Sequence, residues 1–197
     1  MIDKPRRIDL HIARRVSEMR KEAGLTLEDL ASRSGVSRSM VSLVERGESS
    51  PTANVLDKLA AGLGVTMATL FSEGKSSDAN PVSVRAKQQI WRDPATGYAR
   101  RNLSPAGFPS PIELVEVTLP PLTQVAYDSA FRIVPYHQQI WVLEGTIEMQ
   151  IGSEQNTIAK GDCFAMLVDG PISFRNPGKR KSRHLVALAP TSRNRAS

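Results

Sequence analysis

Cysteine is almost missing from this 197-residue chain. Cys163 stands alone, which excludes an internal disulfide and suits a reducing cytosol. Long apolar runs are missing too. MIDKPRR leads into no hydrophobic signal core, and no stretch approaches membrane-spanning length, so a cytoplasmic protein without a membrane partner is expected. Nor is there a nucleophile elbow, a paired-carboxylate site or a glycine-rich cofactor loop. No catalytic residue is nominated, and neither an enzyme nor a cofactor is expected. The formal charge of +6 suits an anionic partner without locating it. Twelve basic residues face ten acidic ones up to Lys75, and fourteen face ten beyond it.

What is present begins with Thr26 to Gly47, TLEDLASRSGVSRSMVSLVERG. Thr26 is a good helix N-cap, and Asp29 three residues on makes an imperfect capping box, since Glu or Gln is usual there. Leu27, Leu30 and Ala31 recur at helical spacing, and Gly35 breaks the pattern where a left-handed turn is needed. Ser37 then caps a second helix with Val41 and Val44 on its inner face. Ala31, Gly35, Val36, Val41 and Val44 in this register resemble the helix-turn-helix of bacterial repressors. The flanks GLTLEDLA, VERGESSPT and LAAGLGVTMATLF resemble the xenobiotic-response-element (Xre) family of lambda-repressor-like domains over residues 8–72.

A first helix is expected from Asp9 to Ala23, with Ile12, Val16, Met19 and Ala23 as its buried stripe and Arg6, Arg7, Arg14 and Arg15 in solvent. A fourth follows Pro51-Thr52, and a short fifth starts at Thr66. The resemblance implies a salt bridge from Arg20 to Glu45 that orients the reading helix. The start of that helix enters the major groove, which presents Arg38 and Ser39, with Ser42 one turn later and Leu43 at the border. Thr26, Ser37 and Arg46 are better placed for phosphate.

The polar run from Ser72 to Asn80 reads as a linker, and after Pro81 the pattern turns to β. Val82–Trp91 and Tyr98–Leu103 should form a hairpin, followed by eight short strands with turns at Glu144-Gly145, Gly152-Ser153 and Lys160-Gly161-Asp162. IWVLEGTIEMQIG, AKGDCFAMLVDGPISFRNPG and RHLVALAP resemble the conserved-barrel, or cupin, family.

Metal-binding cupins carry three histidines and a glutamate, and this sequence departs from them at every ligand position. Aligned on Gly145, the glutamate falls at Gln138, and the histidines at Arg132 and Val134 or at Phe131 and Ile133. Aligned on Gly161 and Asn176, the later histidine falls at Ile172. No metal is expected. His137 sits beside a ligand position and should face the other way. His11 and His184 are taken as surface or packing residues.

The vacated site is expected to serve as an effector pocket. Alternation from the shorter spacing turns Arg132, Val134, Tyr136, Gln138 and Ile140 to one side, with Ile172 and Phe174 opposite. An inward Arg132 favours a carboxylate effector. The longer spacing would turn Arg132 outward, and pairing with Asp128 is the competing reading.

The expected fold is thus α+β and multidomain. An N-terminal all-α five-helix lambda-repressor-like helix-turn-helix domain (8–72) and a linker (73–81) precede a C-terminal all-β cupin barrel, a double-stranded β-helix or jelly roll (82–190), and a tail (191–197). The expected function is a sequence-specific transcriptional regulator, most simply a repressor. It would bind double-stranded DNA at a pseudo-palindromic operator as a homodimer and answer to a small-molecule effector. The competing readings make the cupin a dimerisation module only, or a cupin enzyme with a DNA-binding attachment.

Overall fold

The computed structural model describes residues 7–72, 79–128 and 134–191. Its α half contains α1 (Arg7–Glu22), α2 (Leu27–Ser34), α3 (Arg38–Glu45) and α4 (Ala53–Gly62), then a 3-10 helix at Met67–Phe71. Side chains fix where each begins. Asp29 N donates to Thr26 Oγ1 at 3.1 Å and Thr26 N donates to Asp29 Oδ2 at 2.8 Å. The capping box is therefore complete, because an aspartate still reaches the N-cap amide. Ser37, Thr52 and Thr66 accept backbone N–H bonds at the next three starts. Gly35, at φ 66°, closes α2 in the left-handed conformation.

Three expectations for this half need correction. The fifth helix is 3-10, since the short segment from Thr66 to Ser72 closes i→i+3 bonds such as Thr69 N to Thr66 O at 3.1 Å. Ala23 is exposed beyond the end of α1, and Ala13 joins Ile12 and Val16 in the buried stripe. The Arg15 side chain is only 12% exposed and bonds Glu18 at 3.0 Å, so it is packed along its helix rather than solvated. Arg6 lies outside the described residues.

The β half comprises β1 (Ile90–Arg92), β2 (Ala99–Asn102), β3 (Glu113–Leu119), β4 (Gln124–Tyr127), β5 (Tyr136–Glu144), β6 (Thr146–Ile151), β7 (Glu154–Ala159), β8 (Cys163–Val168), β9 (Ile172–Arg175) and β10 (Ser182–Pro190). They form two antiparallel sheets, ordered β1-β2-β3-β10-β5-β8 and β4-β9-β6-β7. The long strand expected from Val82 is three residues, because a 3-10 turn at Arg85–Lys87 interrupts the preceding segment. Alternation puts Val115, Val117 and Leu119, Ile140 and Val142, and Val186 and Leu188 on one inner face. Val125, Ile147, Met149, Ile172 and Phe174 line the other. Buried Asn176 ties the rim together, donating through Nδ2 to the carbonyls of Leu119, Pro120 and Arg180 at 2.8–3.2 Å.

The halves share a junction built from both. Phe71 packs on Trp91 with ring centroids 5.8 Å apart. Ala53 N donates to the buried Asp93 Oδ2 at 3.2 Å, so a β-loop carboxylate serves the first turn of α4. Thr69 Oγ1 donates to Glu113 Oε1 at 2.9 Å, and Thr66 Oγ1 bonds the same carboxylate. On its other flank α4 meets α2, where a Cβ on Gly62 would stand 2.9 Å from that of Ser34. Only glycine permits that approach.

Candidate functional site

Two places collect the residues singled out above. The first is the outer face of α3. Arg38 and Ser39 are exposed at its start, and Ser42 and Leu43 are half-buried one turn on. Val41 and Val44, on the opposite face, are in the core. Exposed Thr26, Ser37 and Arg46 border this face. Thr26 and Ser37 spend their hydroxyls on caps. Arg46 Nη2 bonds Glu48 Oε2 at 2.8 Å, and its other terminal nitrogen bonds Ser42. Arg38 stands only 3.8 Å from Glu28, with both side chains largely in solvent, a weak tether.

Behind α3, Arg20 on α1 grips Glu45 with a fork. Nε donates to Oε1 at 2.6 Å and Nη2 to Oε2 at 2.8 Å, while Nη1 donates to Leu25 O at 2.7 Å. The two side chains are 12% and 9% exposed. The carboxylate raises the guanidinium pKa further above its ordinary value, so the guanidinium stays charged. A planar two-point clamp fixes the orientation of α3 as well as its position.

The second place is a cavity of about 40 Å³ between the sheets, bounded on one side by the α half. Tyr136, Gln138, Ile172 and Phe174 line it, as alternation suggested. Ile140 is buried deeper in the core and does not reach it, and Val134 precedes β5 and does not line it. Alternation turns His137 out to solvent. Arg132, Phe131 and Ile133 lie outside the described residues.

Sequence reasoning missed the polar half of this cavity: Asp57 from α4, Tyr98 just before β2, Arg100 from β2, Tyr127 from β4 and His184 from β10. Arg100 Nη1 donates to the Tyr98 oxygen at 3.1 Å, and Tyr127 donates to the same oxygen at 2.9 Å. Burial opposes the Arg100 charge, but the three surrounding tyrosine oxygens raise its pKa, and the guanidinium stays charged. His184 stacks on Phe174 at 6.3 Å and is 2% exposed. Burial, and then the Arg100 charge, push its pKa down to about 3, so the imidazole is neutral at neutral pH. His184 was legible in part, since it alternates with Val186 and Leu188 on one face of β10. A cupin-type metal does not fit this chamber. Gln138 and Ile172 stand where the family resemblance would put ligands, and a fixed guanidinium repels a cation. Among the described residues, no helix is long and apolar enough to cross a membrane.

The family described as Helix-turn-helix (HTH_3) matches residues 16–70. The transcriptional regulator PuuR of Escherichia coli is 26% identical over 91% of this chain and 95% of its own. A helix-turn-helix regulator from Sinorhizobium fredii, y4dJ, is 38% identical over 35% of this chain and 86% of its own. The crystal structure of an HTH_3-family transcriptional regulator from Vibrio cholerae superposes with a TM-score of 0.72 at 25% identity, covering 92% of this chain and 96% of that one.

Proposed function

The chain belongs to the Xre family of helix-turn-helix transcriptional regulators, and we propose that it reads double-stranded DNA through α3 and answers to a small-molecule effector held in the cavity of its β half. One observation carries the reading: α3 is clamped from behind by Arg20–Glu45 while Arg38, Ser39, Ser42 and Leu43 are left on its accessible face. The first turn of such a helix enters the major groove. Arg38 is the donor for a guanine edge, and Leu43 suits a thymine methyl. Thr26, Ser37 and Arg46 border the groove for phosphate, where Arg46 exchanges Glu48 for a backbone oxygen.

Two copies would bind a pseudo-palindrome with half-sites about one helical turn, ~34 Å, apart. We read the β half as a cupin barrel, supported by its two apposed antiparallel sheets. A regulatory rather than catalytic role agrees with relatives named as transcriptional regulators.

The test begins with duplexes selected in vitro by the protein. Anisotropy titrations should show Arg38→Ala weakening a selected duplex by about 5- to 150-fold, the worth of one bidentate base contact. A scrambled duplex should lose much less. Equal losses on both would remove Arg38 from base reading.

A further inference from the structure

Arg100 is the least satisfied buried group in the cavity. It is 7% exposed, and only Nη1 has a partner; Nε and Nη2 have none among the described residues. Buried N–H donors are almost always paired, and a guanidinium more so than most. A second unmet group faces the same chamber. His184 Nδ1 is buried without a partner among the described residues. Strand register explains the coincidence: Arg100 pairs with Val117, and Val117 with His184, so the three lie in one row across β2, β3 and β10. Both groups therefore project from the same face of the sheet.

We propose that this cavity is a carboxylate-binding site in which Arg100 grips a small monocarboxylate effector through Nε and Nη2. The proposal rests on the effector reading above and names the effector's chemical class. Nε and Nη2 form one edge of the guanidinium, and that edge matches the two oxygens of a carboxylate. The chain already uses the same edge once, where Arg20 holds Glu45 through Nε and Nη2. Tyr98 accepts from both Arg100 and Tyr127, so its own hydroxyl proton remains to be donated.

Size and charge narrow the class. The cavity is roughly three times the space one water needs, room for a few heavy atoms. Phe174, Val186 and Leu188 offer an apolar wall for a short hydrocarbon tail. Arg100 is the one cation among the described residues that line the chamber, so a second carboxylate on the ligand would find no partner there. Asp57 and Met67 also make the α half part of the site, which gives occupancy a direct route to α4 and, through its Gly62–Ser34 contact, to α2.

The experiment is thermal melting of the full chain at constant ionic strength, with acetate, propionate and butyrate set against propionamide, butyramide and inorganic phosphate. At a hundredfold excess over its Kd, a fitting acid should raise Tm by about 5–10 °C. The amides and phosphate should not. Arg100→Met should fold and lose the response, and Arg100→Lys, which keeps the charge but not the fork, should weaken it at least tenfold. If Arg100→Met does not fold, the acid–amide comparison on the unaltered chain decides alone. Equal shifts with acid and amide, a larger shift with phosphate, or no shift with any acid would each overturn the assignment. The effector reading fails separately, if an acid raises Tm yet leaves affinity for the selected duplex unchanged.

Discussion

Lowering the pH from 7 to 5 should cost the fold about 2 kcal/mol through His184 alone. The imidazole is buried and neutral, with its pKa pushed down to about 3 from an ordinary 6.5 by desolvation and by Arg100. Below pH 6.5 the unfolded chain takes up a proton that the folded chain refuses. Stability from this group is therefore complete above pH 6.5 and is lost progressively as the pH falls towards 3. Arg100 repels the new charge, and Phe174 offers only its ring. Urea unfolding of the parent and of His184→Gln at pH 7, 6 and 5 isolates the effect, because other carboxylates contribute to both. The parent should lose the additional ~2 kcal/mol and the variant should not. Parallel losses would show that His184 is solvated.

Glu45→Ala should destabilise the chain by roughly 3 kcal/mol, because it leaves Arg20 buried with the Leu25 carbonyl as its remaining partner. The fork joins residues 25 positions apart, so its loss also frees α3 from α1. Glu48→Ala, which breaks the exposed pair with Arg46, is the control within the same molecule and should leave unfolding unchanged. The removal of both partners, Arg20→Met with Glu45→Leu, should recover much of the stability but not the DNA affinity. A Glu45→Ala loss no larger than that of Glu48→Ala would mean that the clamp contributes nothing to the fold.

The parts of this structure that local chemistry dictates were legible in the sequence. Thr26 and Ser37 cap helices because their side chains reach backbone amides three residues away. Gln138 and His137 take opposite faces of β5 because strand geometry leaves no alternative. Asp57 could not be read in this way. It follows Leu56 in an amphipathic pattern and reads as solvated, yet α4 is covered by α2 on one flank and by β4 on another. A helix with two covered flanks buries residues that a single-face pattern assigns to water. Arg100 was hidden for a related reason. In YARRNL it is one of two adjacent arginines, and only the pairing with Trp91 and Val117 tells which of them turns inward. That pairing depends on residues far away in the chain.

The junction of Phe71 with Trp91, and of Ala53 and Thr69 with Asp93 and Glu113, also limits how this regulator can be rebuilt. Fusing residues 7–72 to an unrelated sensor would bare the Phe71 ring and withdraw the carboxylate that serves the first turn of α4. A working chimera would have to import Trp91, Asp93 and Glu113, or their equivalents, along with the DNA-reading helices. Calorimetry offers the simplest sign of this interdependence. The intact chain should melt in one transition with equal calorimetric and van't Hoff enthalpies, and the excised α half should melt at a lower temperature than the whole.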